Sequence, residues 1–180
     1  MINDYEATKP MTTDAEVVDR EKINDSEVVS TLNGLIRTCI DGEDGFREAA
    51  TWAQRADLKT FFNSVSLERA SFAGELQSFV RSLGAEPDSG GTFTGALHRG
   101  WTDIRAAISG NSDAAILNEC ERGEDAAKNA YQAALKEPLP DNILAVVQRQ
   151  AASIGEKHDR VKALRDFANN QMSSAARPNL

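Results

Sequence analysis

Proline stands at only five positions in this chain, 10, 87, 138, 140 and 178, and so leaves three Pro-free runs, 11–86, 88–137 and 141–177. Because proline lacks an amide donor and clashes with the preceding turn of a helix, long runs without it are where long helices fit. Alanine, the strongest helix former, occurs 26 times. Within the runs, apolar residues recur at alternating spacings of three and four, which puts them on one stripe of a helix. Val28, Leu32, Leu35, Cys39, Gly42, Phe46, Ala49 and Ala53 form the first such seam, and Leu58, Phe61, Val65, Phe72, Leu76, Phe79 and Leu83 the second. The expected fold is all-α, and 180 residues suffice for one compact domain with tails but not for a second catalytic domain.

Local signals set the boundaries. Residues 1–23 are polar without a sustained apolar period and read as a mobile N-terminal arm. Asn24 followed three residues later by Glu27 is a capping-box signature that opens the first helix, and Gly84 is a natural residue to end the second. Only a few residues near 54–57 join these two helices, so they are expected to be antiparallel neighbours. The segment 84–111 is too long for a tight turn and contains a short helical stretch over roughly 95–108. A third long helix is expected from Ser112 to Lys136, with Leu117, Cys120, Ala127, Tyr131 and Ala134 on its seam. A fourth runs from Asp141 to about Asn170 through Ile143, Val147, Ala151, Ile154, Val161 and Leu164, leaving 171–180 as a tail. Two helical pairs joined by a long crossover, over a domain of 24–170, is the connection pattern of a ferritin-like four-helix bundle.

Charge and composition narrow the function classes. With 20 Lys and Arg against 28 Asp and Glu the net charge is −8, which argues against general affinity for nucleic acid or anionic membrane. The chain has neither an 18-residue apolar stretch nor an apolar h-region in its first 25 residues, so a cytoplasmic protein is expected. Two cysteines far apart in sequence do not make a disulfide framework.

An internal repeat carries the most chemistry. Cys39-Ile-Asp-Gly42-Glu43-Asp44-Gly-Phe-Arg47-Glu-Ala49 in the first helix matches Cys120-Glu-Arg-Gly123-Glu124-Asp125-Ala-Ala-Lys128-Asn-Ala130 in the third, with the shared pattern C-x-x-G-E-D-x-x-[RK]-x-A. A duplicated two-helix unit accounts for the match at the same place in both pairs. Glu43 and Glu124 lie beside the apolar seams of their helices, Glu68 falls between Val65 and Phe72, and His158 between Ile154 and Val161. Counting from the turns puts all four near mid-bundle, within about two helical turns of one another. The stretches CIDGEDGFREAA, LERASFAGEL, GALHRGW, CERGEDAAKNAY and KHDRVKALRD resemble the ferritin-like superfamily, and within it a bacterial family of uncharacterised four-helix-bundle proteins. The resemblance covers about 24–169 and implies a fold without an established activity.

A carboxylate-bridged two-metal centre in such a bundle takes one Glu from each of two helices and a Glu-x-x-His from each of the other two. Glu43 and Glu124 match the lone glutamates. Glu68 begins one Glu-x-x-His, but Ser71 stands where its histidine belongs; His158 ends the other, but Gly155 stands where its glutamate belongs. The four remaining candidates argue against a dinuclear oxidase or ferroxidase and leave a single divalent iron, manganese or zinc ion as one reading. The other is a relic polar layer satisfied by His158, Arg47, Lys128, Ser71 or backbone, in a bundle that serves as a structural or protein-interaction module. Gly42 and Gly123 beside the glutamates suggest close helix packing in preference to space for a ligand. Cys39 and Cys120 are expected on opposite sides of the glutamate layer, too far apart for a disulfide, as small buried residues. On the crossover, Trp101 is expected to seal against the bundle and His98 to be exposed beside Arg99; one histidine with no nucleophile near it does not make a hydrolase. A homo-oligomer is expected to be a dimer, the commonest closed assembly.

Overall fold

The computed structural model describes residues 24–90 and 113–175, whose secondary structure is four helices: α1 (Asp25–Trp52), α2 (Ala56–Ser82), α3 (Asp113–Ala134) and α4 (Asp141–Ala175). The arm 1–23 and the short helix expected over 95–108, with His98, Arg99 and Trp101, lie outside the described residues. The last helix runs through Ala175, past the boundary at 170 drawn from the sequence. Among the described residues no helix is long and apolar enough to cross a membrane.

Capping fixes the ends. The Asn24 side chain accepts a hydrogen bond from the Ser26 amide at 3.0 Å, satisfying one of the donors that the first turn of α1 leaves open. At the other end of the hairpin Gly84 takes φ +77°, the left-handed conformation that glycine adopts without a Cβ penalty. The Ala85 amide then reaches the Val80 carbonyl and the Gly84 amide the Arg81 carbonyl, a Schellman ending. Leu139, between the two prolines of the α3–α4 connection, is buried and packs into the core.

Both described ends of the crossover are tied down. Beyond α2, the Asp88 amide donates to the Asn33 side chain at 3.0 Å, and the Asp88 carboxylate pairs with Arg37 of α1. Asp113, opening α3, accepts from the Gln54 and Arg55 amides at 2.7 and 3.3 Å. These bonds place the start of α3 at the α1–α2 turn, the opposite end of the bundle from the end of α2. The helices therefore pack as the pairs α1–α2 and α3–α4, with α1 against α3 and α2 against α4.

The core divides into two clusters. One holds Val28, Leu32, Leu35, Ile36, Cys39, Phe72, Leu76, Tyr131, Val147 and Ile154; the other Phe46, Leu58, Phe62, Val65, Leu117, Cys120 and Val161. The break falls between 39 and 46 on α1, 65 and 72 on α2, 120 and 127 on α3, and 154 and 161 on α4. A polar level interrupts the apolar core at mid-bundle.

Candidate functional site

The polar level is organised by a residue that apolar periodicity passes over. Buried positions on α2 include Leu58, Phe62, Val65, Arg69, Phe72, Leu76 and Val80, a run of fours and threes in which Arg69 occupies a full seam position. Phe62 and Val80 are the buried partners, while Phe61 and Phe79, the seam residues expected from sequence, are only partly buried. Arg69 is 1% exposed, the largest fully buried side chain described.

Its guanidinium lies at the centre of the bundle. Nη2 donates to both carboxylate oxygens of Glu124, at 2.9 and 3.0 Å, while Nη1 stands 3.5 Å from Glu68 Oε2. The guanidinium carbon lies 5.6 Å from the centroid of the Phe72 ring, within range for a cation–π contact. Arg69 Nε and Nη1 make no hydrogen bond among the described residues, so Glu124 is the cation's one strong partner. Glu124 is itself 1% exposed. Burial pushes its carboxyl above the ordinary glutamate range, and the Arg69 charge and hydrogen bonds pull against that rise.

The four residues nominated from sequence share this level but have separate partners. Glu43 is half-buried and turns to Arg47 at 3.0 Å along its own helix. Glu68 accepts from Ser153 Oγ at 2.8 Å and lies 3.4 Å from Lys157 Nζ on α4. Glu124 is held by Arg69. His158 has both ring nitrogens on carboxylates, Nε2 at 3.0 Å from Asp125 and Nδ1 at 2.9 Å from Asp159. The hydrogen bond to His158 holds the Asp159 carboxyl below its ordinary range. Ser71, in place of the missing histidine, is exposed.

As arranged, these residues do not fit a metal ion. The central carboxylate already has both oxygens on a guanidinium, the imidazole presents neither nitrogen to the centre, and a fixed positive charge stands where a second one would have to enter. Among the described residues no group of three or more His, Cys, Asp or Glu side chains is placed to hold a metal. The two glycines of the repeat also part company. A Cβ at Gly42 would lie 3.3 Å from Arg69 Cγ and Cδ, so glycine there lets the arginine stem cross α1. At Gly123 a Cβ meets nothing within 4 Å, and close packing, the reason expected from sequence, does not apply. Gly123→Ala is therefore expected to stabilise the bundle by about 0.5–1 kcal/mol through helix propensity alone, measured by urea unfolding.

A second polar chain threads the neighbouring core. Tyr131 Oη donates to Gln150 Oε1 at 2.7 Å, Gln150 Nε2 donates to Glu75 Oε2 at 2.8 Å, and Arg149 Nη2 donates to the same Glu75 oxygen at 2.6 Å. Cys39 Sγ lies 3.1 Å from Tyr131 Oη, and since that hydroxyl gives its proton to Gln150, the thiol is the donor. The chain touches all four helices. Gln150 is wholly buried on the α4 seam, again a polar residue at an apolar spacing. Burial pushes the Cys39 thiol up to about 11, only partly countered by Tyr131 and Arg69, and pushes Cys120 well above its usual value. Both cysteines are free and buried. Native protein is expected to resist alkylation at both and to react only on unfolding, which mass spectrometry after iodoacetamide pulses would read; fast native labelling of Cys39 would contradict its role as a buried donor.

Between α1 and α3 a cleft of about 250 Å³ opens onto this level, lined by Asp41, Gly42, Gly45, Cys120, Gly123 and Glu124 among others. Comparison with known proteins adds to this geometry. Residues 27–137 match the family model described as Domain of unknown function (DUF2383). The fold is similar to a solved structure whose title reads a dodecameric thioferritin, the bacterioferritin-related protein from Bacteroides fragilis. The TM-score is 0.64 at 16% identity, covering 84% of this chain and 92% of that one. No curated protein matches the chain by sequence.

Proposed function

The chain belongs to the DUF2383 family and has a ferritin-like four-helix bundle, and from that premise we propose that it works as a metal-independent structural or protein-interaction module. The observation that carries this reading is the fate of the mid-bundle level: each nominated ligand is engaged by a protein partner, and a guanidinium neutralises the most deeply buried carboxylate. A redox or hydrolytic centre needs an open coordination position or an activated nucleophile. Here burial holds the thiols protonated, and both oxygens of the central carboxylate accept from one guanidinium nitrogen. The polar level serves instead to fix helix register, a role for which buried polar groups are suited because each mispairing leaves a charge unmatched.

The same reading includes self-association, supported by the likeness to a protein whose title calls it dodecameric. Metal analysis of protein expressed in iron-, manganese- and zinc-supplemented medium and purified without chelators tests the first part. Substoichiometric metal and an unchanged melting temperature on adding each ion are expected; one tightly held equivalent would overturn the reading. Native mass spectrometry tests the second, with a closed homo-oligomer, a dimer at the least, expected and a monomer at all concentrations contradicting it.

A further inference from the structure

We propose that the cleft between α1 and α3 is a binding site for a small neutral ring compound carrying a hydrogen-bond acceptor such as a carbonyl, and that Arg69 Nε is the donor that receives it. The site belongs to the native chain and goes beyond its metal-independence. At about 250 Å³ the cleft is larger than the roughly 150 Å³ of an apolar cavity that takes up benzene. Its walls among the described residues are mainly small or apolar, with Gly45 and Phe46 from α1 and Cys120, Gly123 and Ala126 from α3. A Cβ at Gly123 meets nothing within 4 Å, so the α3 wall stands open.

A buried donor without a partner faces this space. Arg69 is 1% exposed, and its Nε makes no hydrogen bond among the described residues. A guanidinium is planar, and its Nε–H shares one edge with an Nη2–H. Nη2 donates to Glu124, which lines the cleft, so that edge is turned toward the cleft. Gly42, also a lining residue, stands beside it, for a Cβ there would lie 3.6 Å from Nε. Buried donors are nearly always paired, and an acceptor entering from the cleft completes this one. The remaining lining selects the ligand's charge. Asp41, Glu119 and Glu124 are all carboxylates, and no lysine or arginine lines the cleft among the described residues. They repel an anion, while a cation at the cleft floor meets the Arg69 charge, so a neutral acceptor is the group that fits. A concave, mainly apolar space with one polar group to fix orientation is what a small-molecule site requires.

The test is a titration of the full chain, followed by proton–nitrogen correlation NMR, with acetophenone, ethylbenzene, benzoate and benzylamine as probes of similar size. Acetophenone is expected to bind saturably and to shift the amides of Gly45, Gly123 and Ala126 together with the Arg69 Nε–H signal. Ethylbenzene lacks the carbonyl and should bind roughly fivefold or more weakly, leaving the Nε–H signal in place. Benzoate and the benzylammonium ion should also bind more weakly than acetophenone. Gly123→Leu fills the α3 wall and should abolish acetophenone binding in folded protein; Ala126→Leu, on the same wall, carries the comparison if Gly123→Leu does not fold. Wild type that shows no saturable binding of acetophenone would overturn the proposal. Equal affinities for acetophenone and ethylbenzene, or undiminished binding in a folded leucine variant, would do the same. Tighter binding of benzoate or benzylammonium than of acetophenone would overturn it too, since charge and not the lone donor would then select the ligand. Each of these contrary results leaves the native chain's metal-independence standing.

Discussion

Replacing Arg69 by methionine is expected to cost about 3–5 kcal/mol, because it strands the Glu124 carboxylate in a site only 1% exposed to solvent. For a chain of this size the loss corresponds to a fall in Tm on the order of 10 °C. Adding Glu124→Leu to Arg69→Met should return most of the loss, since removing both members of a buried ion pair is often neutral whereas removing one is not. The coupling energy from that double-mutant cycle measures the pair; simple additivity would show that Arg69 and Glu124 do not depend on each other.

The variant should also change how stability depends on pH. Glu124 in the folded chain already has its pKa raised by burial, with Arg69 opposing the rise. A carboxyl raised on folding binds more protons in the native state, so stability falls as pH climbs from the unfolded value of about 4.3 through the folded one. Below that window the penalty is absent. Without Arg69 the folded value rises further, so Arg69→Met should lie closest to wild type in acid and lose most near neutrality. Urea unfolding at a series of pH values checks this, and a parallel offset at every pH would contradict it.

The second large effect is expected at Gln150, which links Tyr131 of α3 to Glu75 of α2. Gln150→Leu keeps the volume but takes the Tyr131 hydroxyl's acceptor and one of the donors to Glu75. Glu75 is partly exposed and keeps Arg149, so the cost is mainly that of the one stranded buried hydroxyl, and a loss of about 1–3 kcal/mol is expected. Tyr131→Phe on the same background should add less than it costs alone, because the hydroxyl it removes is already stranded. With Gln150 gone, the Tyr131 hydroxyl has only the weak sulfur acceptor of Cys39 left, and turning to it reverses the donor role that the native chain gives the thiol. An increase in alkylation of Cys39 in Gln150→Leu, without one at Cys120, would localise the damage to this chain of bonds.

These two positions also mark the limit of what was legible in the sequence. The four described helices, the Asn24 cap, the glycine ending of α2 and the start of α3 far from the end of α2 follow from local chemistry: a short polar side chain before a helix, a residue that tolerates positive φ, and the spacing of prolines. The common level of Glu43, Glu68, Glu124 and His158 follows from helical rise. Arg69 and Gln150 could not be found the same way, because a seam read from apolar residues skips any polar residue lying on it. The gap from Val65 to Phe72 invited attention to Glu68, whereas the spacing Phe62, Val65, Arg69, Phe72, Leu76 places the arginine inward. Side-chain direction was the other obstacle. Glu43 and Glu124 occupy equivalent places in the repeat, yet Glu43 reaches Arg47 near the surface and Glu124 reaches Arg69 in the core. The repeat does not specify that difference; the neighbouring helices do. Gly123 shows the same point, since equivalence with Gly42 suggested packing where the structure has an open cleft.

The central claim is that an arginine provides the positive charge at the heart of this bundle. Crystals grown from protein exposed to iron, manganese and zinc, with diffraction recorded at each absorption edge, test it most directly. The expected map has guanidinium density bridging Glu124 toward Glu68 and no anomalous peak between the helices, whereas an anomalous peak bonded to Glu124 with Arg69 turned away would contradict it.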